Sequence, residues 1–158
     1  MSFDVRQFRD ALGCFPTGIA VVTAGSGSTL SGITVNSFTS VSLDPPLVLW
    51  CLDRHSCRYR TFTTAKKFTI SVLGSGLKAV SARLARPGAS TLDGLELVPV
   101  QDGPPALAGA LAVLECVREA AHDGGDHDII VGRVLRLTCR KKGKPLVFFR
   151  GRYRALTG

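Results

Sequence analysis

The chain has 158 residues, of which 45% are hydrophobic and 20% charged, and this composition predicts one folded domain over 1–158 rather than a disordered chain. No apolar run approaches the roughly 20 residues that a membrane-spanning helix needs. The N-terminus lacks the basic start and apolar core of an export signal. Five cysteines at irregular spacing are most simply interpreted as reduced thiols of a cytoplasmic protein.

The net charge is +8, and the basic residues are concentrated near the C-terminus. Nine of the 20 Lys and Arg residues follow Asp128, which is the last acidic residue of the chain. Such a surface attracts a nucleic acid, an anionic membrane or a phosphorylated small molecule, or it is a solvated basic face without a partner. Because the basic residues are not interleaved with aromatic stacking platforms, we expect no nucleic-acid partner. We expect no membrane partner either.

Hydrophobic periodicity predicts a short N-terminal helix followed by a series of strands. Residues 4–14 carry apolar side chains at three- and four-residue spacing, which is typical of a helix. A hairpin is predicted for 19–24 and 29–35, joined by a turn of Gly and Ser. Further strands are predicted at 47–52, where the uninterrupted apolar run indicates burial on both faces, and at 67–73.

The second half of the chain is expected to contain two more helices and three more strands. Helices are predicted at 56–65, with Ser56 as the N-cap, and at 77–85. The segment 86–105 holds four of the eight prolines and is predicted to be a long loop, of the kind that forms a lid or a binding element. The remaining strands are predicted at about 110–119, 128–140 and 146–154. The sequence therefore favours a mainly β fold, a closed barrel with short peripheral helices.

Two motifs suggest a cofactor or a metal but fit their surroundings poorly. Residues 74–79 match the G-x-G-x-x-A pattern of dinucleotide-binding loops, yet several strands precede them without crossover helices, which favours a glycine-rich strand end. Cys51, His55 and Cys57 are spaced like metal ligands, but the sequence supplies no second pair of ligands. Cys51 also lies in an apolar strand, where a free cysteine is usually a small hydrophobic residue. We therefore predict no metal site.

Three polar segments are candidates for ligand binding. Residues 32–46 carry a dense series of hydroxyl groups and one amide, which either hydrogen-bond a planar heterocycle or form a plain polar loop. Residues 52–56 end a strand and open a predicted helix, so that their Arg and Ser form either a phosphate site or an ordinary cap. Residues 124–128 read Gly-Gly-Asp-His-Asp and place His127 either against a ring or in a solvated turn.

These segments occur together and in the same order in one known family. Among them are Thr-Val-Asn-Ser-Phe-Thr-Ser-Val-Ser-Leu-Asp-Pro-Pro at 34–46 and Gly-Asp-His at 125–127. The chain resembles the short-chain flavin reductases of two-component monooxygenase systems, which share the FMN-binding split-barrel fold. The resemblance covers about residues 8–154, and its other matching stretches lie at 15–18, 21–23, 51–56, 68–73 and 145–153.

The resemblance implies a homodimer of closed six-stranded antiparallel split β-barrels with short peripheral helices. Such a protein binds FMN or FAD and takes a hydride from NADH or NADPH, and reduced flavin then reaches a separate flavin-dependent monooxygenase. Two alternatives on the same fold remain open. One is a flavin-binding protein without reductase activity, and the other is an enzyme like pyridoxamine-phosphate oxidase, with tightly bound FMN and an amine substrate.

The resemblance also implies which residues hold the cofactors. No side chain is expected to be a catalytic acid or base, because hydride transfer from nicotinamide to flavin needs none. The expected cofactor-binding residues are Thr34, Val35, Asn36, Ser37, Ser40, Cys51, Leu52, Asp53, Arg54, Ser56, Arg83, His127, Arg152 and Tyr153.

The roles implied by the resemblance differ from segment to segment. The polar residues of 34–37 are expected to hydrogen-bond the isoalloxazine and ribityl groups. Arg54 and its neighbours in 52–56 are expected to hold the phosphate region, and His127 to lie against the nicotinamide. The chain departs from the family pattern within 75–97, where Leu84 replaces the usual aromatic residue. This departure leaves open the choice between FMN and FAD.

Overall fold

The computed structural model describes residues 2–89 and 91–156, and within these ranges the chain is mainly β, as predicted. Its helices are α1 (Val5–Gly13), α2 (Tyr59–Thr64) and α3 (Lys78–Leu84). Its strands are β1 (Thr17–Gly18), β2 (Ala20–Ala24), β3 (Ser31–Val35), β4 (Thr39–Leu43), β5 (Pro46–Asp53), β6 (Lys67–Val72), β7 (Leu97–Val98), β8 (Ala106–Leu107), β9 (Ala112–Gly124), β10 (His127–Cys139), β11 (Val147–Phe149) and β12 (Arg152–Arg154).

Seven of these strands form one antiparallel sheet in the order β3-β2-β6-β9-β10-β5-β4. The longest are β9 and β10, with 13 residues each, and they pair with each other as a hairpin. Smaller sheets are formed by β1, β11 and β12 and by β7 with β8. The resemblance implied six strands in the main sheet. The additional strand is β4, which pairs with β5 in a segment that the sequence left open as a polar loop.

The main hydrophobic core collects side chains from six strands of this sheet and from α2. Its buried members are Ala20, Val22, Ala24, Ile33, Val35, Val48, Trp50, Leu52, Phe62, Phe68, Ile70, Cys116 and Ile130. Trp50 makes edge-on contacts with Phe62 and Phe68, with ring centroids 5.4 and 5.8 Å away. A glycine at position 132 leaves room for this packing, because a Cβ there would lie 2.4 Å from Phe68 Cζ.

A second core lies on the opposite face of β2. Successive side chains of a strand point to opposite faces, so Val22 belongs to the main core while Val21 belongs to this one. Its other buried members are Ile19, Leu73, Leu84, Leu92, Leu107 and Leu146. Because β2 is covered on both faces, all five of its residues are buried.

The N-terminal helix and the first hairpin form where the periodicity predicts them. α1 begins with a capping box, in which Asp4 Oδ1 accepts a hydrogen bond from Gln7 N at 2.8 Å and Gln7 Oε1 accepts one from Asp4 N at 2.9 Å. The apolar side chains of this helix nevertheless have no core to pack against. Val5, Phe8 and Leu12 are 67%, 50% and 58% exposed.

Two predictions about the middle of the chain were wrong. β5 is not buried on both faces, since buried and partly buried residues alternate along it, as expected for a strand with the core on one side. The helix predicted from Ser56 begins only at Tyr59. Ser56 N donates to Asp53 O and Tyr59 N donates to Ser56 O, so this stretch forms successive turns, and Arg58 rather than Ser56 occupies the N-cap position.

The last part of the chain also differs from its prediction. The strand expected at 146–154 is divided into β11 and β12, because Arg150 and Gly151 both adopt positive φ and reverse the chain. Within the long loop predicted at 86–105, β7 pairs with β8, which follows the loop, and the rest of the loop is irregular in the residues described.

Candidate functional site

One cavity gathers most of the residues that the sequence singled out. It has a volume of about 420 Å³ and lies where β3, the end of β5, the turns before α2 and the segment 85–88 meet. The expected cofactor-binding residues that line it are Thr34, Val35, Asn36, Ser37, Cys51, Asp53, Ser56 and His127. The fold thus brings three polar segments that are distant in sequence to one place.

Each hydroxyl group of this cavity makes a hydrogen bond within the protein and can still make another with a ligand. Thr34 Oγ1 donates to the Ser81 carbonyl at 2.8 Å, so it can still accept a hydrogen bond. Ser37 Oγ accepts from Cys51 N at 2.9 Å, so its own hydrogen is left to donate. Ser56 Oγ likewise accepts from a backbone N–H, at 3.2 Å, and keeps its hydrogen. The protein contacts therefore orient these groups without using up their hydrogen-bonding capacity.

A buried arginine fixes one wall of the cavity. Arg58 is 4% exposed, and its guanidinium donates to the carbonyls of Leu84, Arg86 and Ala89 at 2.7–2.8 Å. Burial lowers the pKa of this group, since the charge is desolvated. Arg58 Nε finds no hydrogen-bond partner within residues 2–89 and 91–156. This side chain thus ties the end of α3 and the following loop to the start of α2.

Several residues of the cavity wall were missed by the sequence reasoning. They are Cys57, Arg58, Ala85, Arg86, Pro87 and Gly88, whereas Ile33 and His55 lie in candidate segments without being named as cofactor-binding residues. For 86–88 a signal existed, because 86–105 was predicted to be a long loop, of the kind that forms a lid or a binding element. For Arg58 there was none, since its acceptors lie 26 to 31 residues further along the chain.

Arg54 does not line the cavity, contrary to its expected place at a phosphate. Its Nε and Nη2 donate to Asp128 Oδ1 at 2.8 and 2.6 Å, and Nη2 also reaches Asp123 Oδ1 at 2.5 Å. Tyr59 donates from its hydroxyl to Asp128 Oδ2 at 2.5 Å. The hydrogen bonds from Tyr59 and Arg54 hold the pKa of Asp128 below its ordinary value. Arg54 is therefore engaged by two carboxylates of the β9–β10 hairpin.

His127 lies at the tip of that hairpin and lines the cavity. The tip is a tight turn in which Gly125 has a φ of +82°, a value that glycine adopts without strain. His127 Nδ1 lies 2.7 Å from Asp126 Oδ1, and this contact lowers the pKa of Asp126. The imidazole is 40% exposed, so it is accessible to a ligand.

Besides Arg54 and Tyr153, four of the expected residues lie outside the cavity. Ser40 is exposed on β4, and the Leu52 side chain lies in the main core with no exposed surface. Arg83 donates to the Thr91 carbonyl at 3.1 Å, and Arg152 is exposed at the start of β12. A ligand in the cavity is therefore not in direct contact with these side chains in the geometry described.

Tyr153 lines a smaller neighbouring cavity of about 160 Å³, which it shares with Thr34 and Asn36. Its hydroxyl lies 2.9 Å from Ser81 Oγ, and Ser81 is the residue whose carbonyl accepts from Thr34. Tyr153 is thus connected to the main cavity through residues that belong to both.

The donor set fits a planar anionic cofactor such as a flavin nucleotide. Free hydroxyl hydrogens and the Asn36 amide suit the carbonyl and ring-nitrogen acceptors of a flavin, and Arg86 supplies a positive charge for a phosphate. The unpartnered Nε of Arg58 is a buried donor that a ligand acceptor would satisfy. Among the described lining residues the one carboxylate is Asp53, whose Oδ1 accepts from His55 N at 2.8 Å.

Comparison with known proteins settles the family. The model of the flavin reductase like domain matches residues 12–157. This chain belongs to the flavin reductase family. The membership that the motifs at 34–46 and 125–127 predicted is thereby confirmed.

Three proteins illustrate how close the similarity is. The FMN reductase (NADH) SmoA of Agrobacterium fabrum is 49% identical over 148 residues, covering 94% of this chain and 84% of that protein. The reductase subunit HsaB of a flavin-dependent monooxygenase from Mycobacterium tuberculosis is 37% identical over 152 residues, covering 95% and 81%. The solved structure of the NADH:FAD oxidoreductase SgcE6 of Streptomyces globisporus, in complex with NAD and FAD fragments, has a TM-score of 0.92 at 39% identity, covering 98% and 93%.

In the part of the chain that the structure describes, no helix combines the length and the apolar character needed to cross a bilayer.

Proposed function

We propose that this protein is an NAD(P)H:flavin oxidoreductase, which reduces FMN or FAD and supplies reduced flavin to a separate monooxygenase. The observation that carries the proposal is the cavity in which the polar residues of 34–37, Arg86 and His127 meet. The relatives named as NADH-dependent FMN and FAD reductases support the reaction, and HsaB, a reductase subunit, supports the monooxygenase partner.

The structure suggests a division of the cavity between the parts of the flavin. Thr34, Asn36 and Ser37 hydrogen-bond the isoalloxazine and ribityl groups, because they combine a free acceptor with free donors. Ser56 and Arg86 hold the phosphate region. Arg86 takes the role that the family resemblance implied for Arg54, because Arg86 lines the cavity and has no carboxylate partner in the described part of the chain.

His127 orients the nicotinamide. Hydride transfer between a nicotinamide and a flavin is chemistry that the cofactors supply when bound. The protein residues bring the two rings together and exclude water, and a loosened geometry slows such a reaction strongly. The exposed imidazole at the hairpin tip, held by Asp126, is placed to contact a second ring that enters the cavity.

A close approach between distant strands of the main sheet supports a closed split barrel as a single domain. Neighbouring strands lie about 4.8 Å apart, so β3 and β5, five positions apart in the sheet, would be about 24 Å apart if it were flat. Residues of β3 and β5 nevertheless line one cavity, and Ser37, two residues after β3, accepts a hydrogen bond from Cys51 N of β5 at 2.9 Å. A sheet rolled towards closure accounts for this, and we extend the proposal to a six-stranded barrel with β4 as an additional edge strand.

The exposed apolar face of α1 supports a homodimer. Phe3, Val5, Phe8 and Leu12 are all about half exposed or more, and Phe15 is 75% exposed. Clustered exposed apolar residues mark interaction surfaces more often than they are left in water.

The five cysteines are all free, which supports a cytoplasmic location in reducing conditions.

Steady-state oxidation of NADH and NADPH, with riboflavin, FMN and FAD varied in turn, tests the main proposal. We expect turnover only when a flavin is present.

His127→Ala is expected to lower kcat/KM for the nucleotide about 10–100-fold, because the geometry between the two rings becomes looser, while flavin affinity stays unchanged.

Two outcomes would contradict the proposal. Flavin binding without turnover, for every flavin and both nucleotides, would leave a flavin-binding protein without reductase activity. Oxidation of an amine by the FMN-bound protein, with no NAD(P)H oxidation, would favour an enzyme like pyridoxamine-phosphate oxidase.

A further inference from the structure

The β9–β10 hairpin carries His127 at its tip, and the tip is held to the rest of the fold from one side. Besides the pairing of β10 with β5, two elements contact the tip, the turn that follows β5 and the helix α2. Arg54 N donates to the Asp126 carbonyl at 3.1 Å, and the Arg54 guanidinium binds Asp123 and Asp128. Tyr59 from α2 completes the cluster through its bond to Asp128.

Asp128 is the centre of this cluster. Its side chain is 13% exposed, whereas that of Asp123 is 78% exposed. Each of its two oxygens accepts at least one hydrogen bond, Oδ1 from Arg54 and Oδ2 from Tyr59. A carboxylate that is mostly removed from water and bonded on both oxygens has a fixed orientation, unlike one in an exposed ion pair.

The cluster can influence the ligand site because Asp128 directly follows His127 in the chain. Successive side chains of a strand point to opposite faces, so the carboxylate of Asp128 and the imidazole of His127 leave β10 on opposite sides. His127 pairs in register with Asp53 and lines the cavity, while Asp128 pairs with Leu52 and does not. A contact that fixes Asp128 therefore fixes the strand segment from which His127 reaches the ligand.

We propose that Asp128 is a positioning residue, which acts through Arg54 and Tyr59 to hold the hairpin tip so that His127 is set for the nicotinamide. This inference rests on the proposed reductase function. It assigns to Arg54 a place behind the nucleotide site rather than at the flavin phosphate, and it gives Tyr59, which no motif singled out, a part in nucleotide binding.

Two substitutions test the proposal. Asp128→Asn keeps the shape of the side chain and removes its charge, and Tyr59→Phe removes one hydroxyl group without touching the ion pair. We expect the KM for NADH to rise about fivefold to tenfold in Asp128→Asn and less in Tyr59→Phe, since a small misplacement has a large kinetic cost. The Kd for FMN, measured by fluorescence quenching, is expected to change less than about twofold, because neither residue lines the cavity.

A matched control exists on the same hairpin. Arg133 donates from Nε and Nη2 to Glu119 at 2.9 and 2.7 Å, which is a bidentate ion pair that does not reach the cavity. Glu119→Gln is expected to leave the KM for NADH and the Kd for FMN unchanged. Hydrogen exchange of the backbone amides of 122–130 gives a second measurement, independent of activity, and it should become faster in Asp128→Asn but not in Glu119→Gln.

The outcomes separate this inference from the function on which it rests. If the unchanged protein oxidises NADH with flavin but Asp128→Asn and Tyr59→Phe behave like Glu119→Gln, the positioning proposal is wrong and the reductase function stands. If KM for NADH and Kd for FMN rise together in both variants, the cluster maintains the whole cavity and the assignment to His127 is wrong. If the unchanged protein shows no turnover, the proposed reductase function is wrong. Hydrogen exchange tests the positioning proposal independently of activity, and an unchanged exchange rate in Asp128→Asn would refute it.

Discussion

Arg54 and Arg86 lie near the same ligand site but differ in their electrostatic surroundings. Arg54 is bound by two carboxylates, and its hydrogen bonds to Asp128 and Asp123 raise its pKa. Because these two carboxylates largely neutralise the charge of Arg54, its guanidinium attracts a further anion only weakly. Arg86 lines the cavity without such partners in the described part of the chain. Of the two, Arg86 is the arginine available to a phosphate group.

Replacing Arg86 should therefore distinguish flavins by their phosphate. Arg86→Gln is expected to weaken FMN binding by roughly 1 to 1.5 kcal/mol, because the contact is charge-assisted but open to solvent, and to leave riboflavin binding unchanged. Fluorescence titration with both flavins measures the difference. Arg60→Gln, which removes the same charge from an exposed residue outside the cavity, is the control. Equal losses for FMN and riboflavin would show that Arg86 does not contact the phosphate.

The pH dependence of stability should reveal the Asp128 cluster. Hydrogen bonds from Tyr59 and Arg54 lower the pKa of Asp128 from its ordinary value of 3.8, so the folded state favours the ionised form. This stabilisation is fully present above pH 3.8 and is lost as the pH falls towards the lower folded-state pKa. Denaturant unfolding at pH 7 and at roughly pH 3 should therefore show a larger loss of stability for the unchanged protein than for Asp128→Asn. Parallel losses would contradict the assignment.

At the scale of elements, β10 and β6 pack so closely that one position requires glycine. A Cβ at Gly132 would meet the Phe68 ring at 2.4 Å, and that ring is itself fixed against Trp50. Overpacking of this kind in a core costs about 1–3 kcal/mol, so Gly132→Ala should lower the free energy of unfolding by that amount.

A matched glycine in another strand provides the control for that substitution. Gly18 on β1 has no heavy atom within 4 Å of a built Cβ, so Gly18→Ala should change stability by less than about 0.5 kcal/mol. Urea unfolding of both variants measures the difference. Equal stability of the two would mean that the core around Phe68 yields more easily than its packing indicates.

The elements were predictable wherever their signal is local. The apolar spacing in 4–14 and the alternation in 67–73 depend on neighbouring residues alone, and both elements form. The strand β4 was not predicted, because hydroxyl-rich sequence is equally compatible with a loop and its pairing with β5 decides the matter. The start of α2 was misplaced for a similar reason, since turns tied to Asp53 replace the expected cap.

For the candidate site, the sequence identified the polar segments but not the pairing of their charges. Thr34, Asn36 and His127 could be named from motifs, and the structure places all three at the cavity. The partner of Arg54 is 74 residues away, and it becomes a neighbour only through the register of β5 with β10. No periodicity within the chain carries that information, so an arginine in a motif could not be distinguished from one in an ion pair.

At the scale of the molecule, α1 is an amphipathic helix with none of its residues buried. Side chains two residues apart on a helix are separated by about 200°, so Leu12 and Asp10 lie on opposite faces. Leu12→Lys should therefore weaken the proposed dimer, while Asp10→Lys, which introduces the same group on the polar face, should not. Sedimentation velocity at micromolar concentrations measures the association. A monomeric unchanged protein, or equal behaviour of the two variants, would contradict an interface at α1.

The clamp formed by Arg58 has a consequence for the speed of ligand exchange. One buried side chain orders three carbonyl groups between Leu84 and Ala89, so this part of the cavity wall is already organised before a ligand arrives. Because this segment is already ordered, a ligand can bind without first ordering it. The ligand can also leave without the segment having to unfold. Neither association nor release then depends on a folding or unfolding step of this segment. Exchange without such a barrier suits the proposed function, in which reduced flavin leaves for a separate monooxygenase.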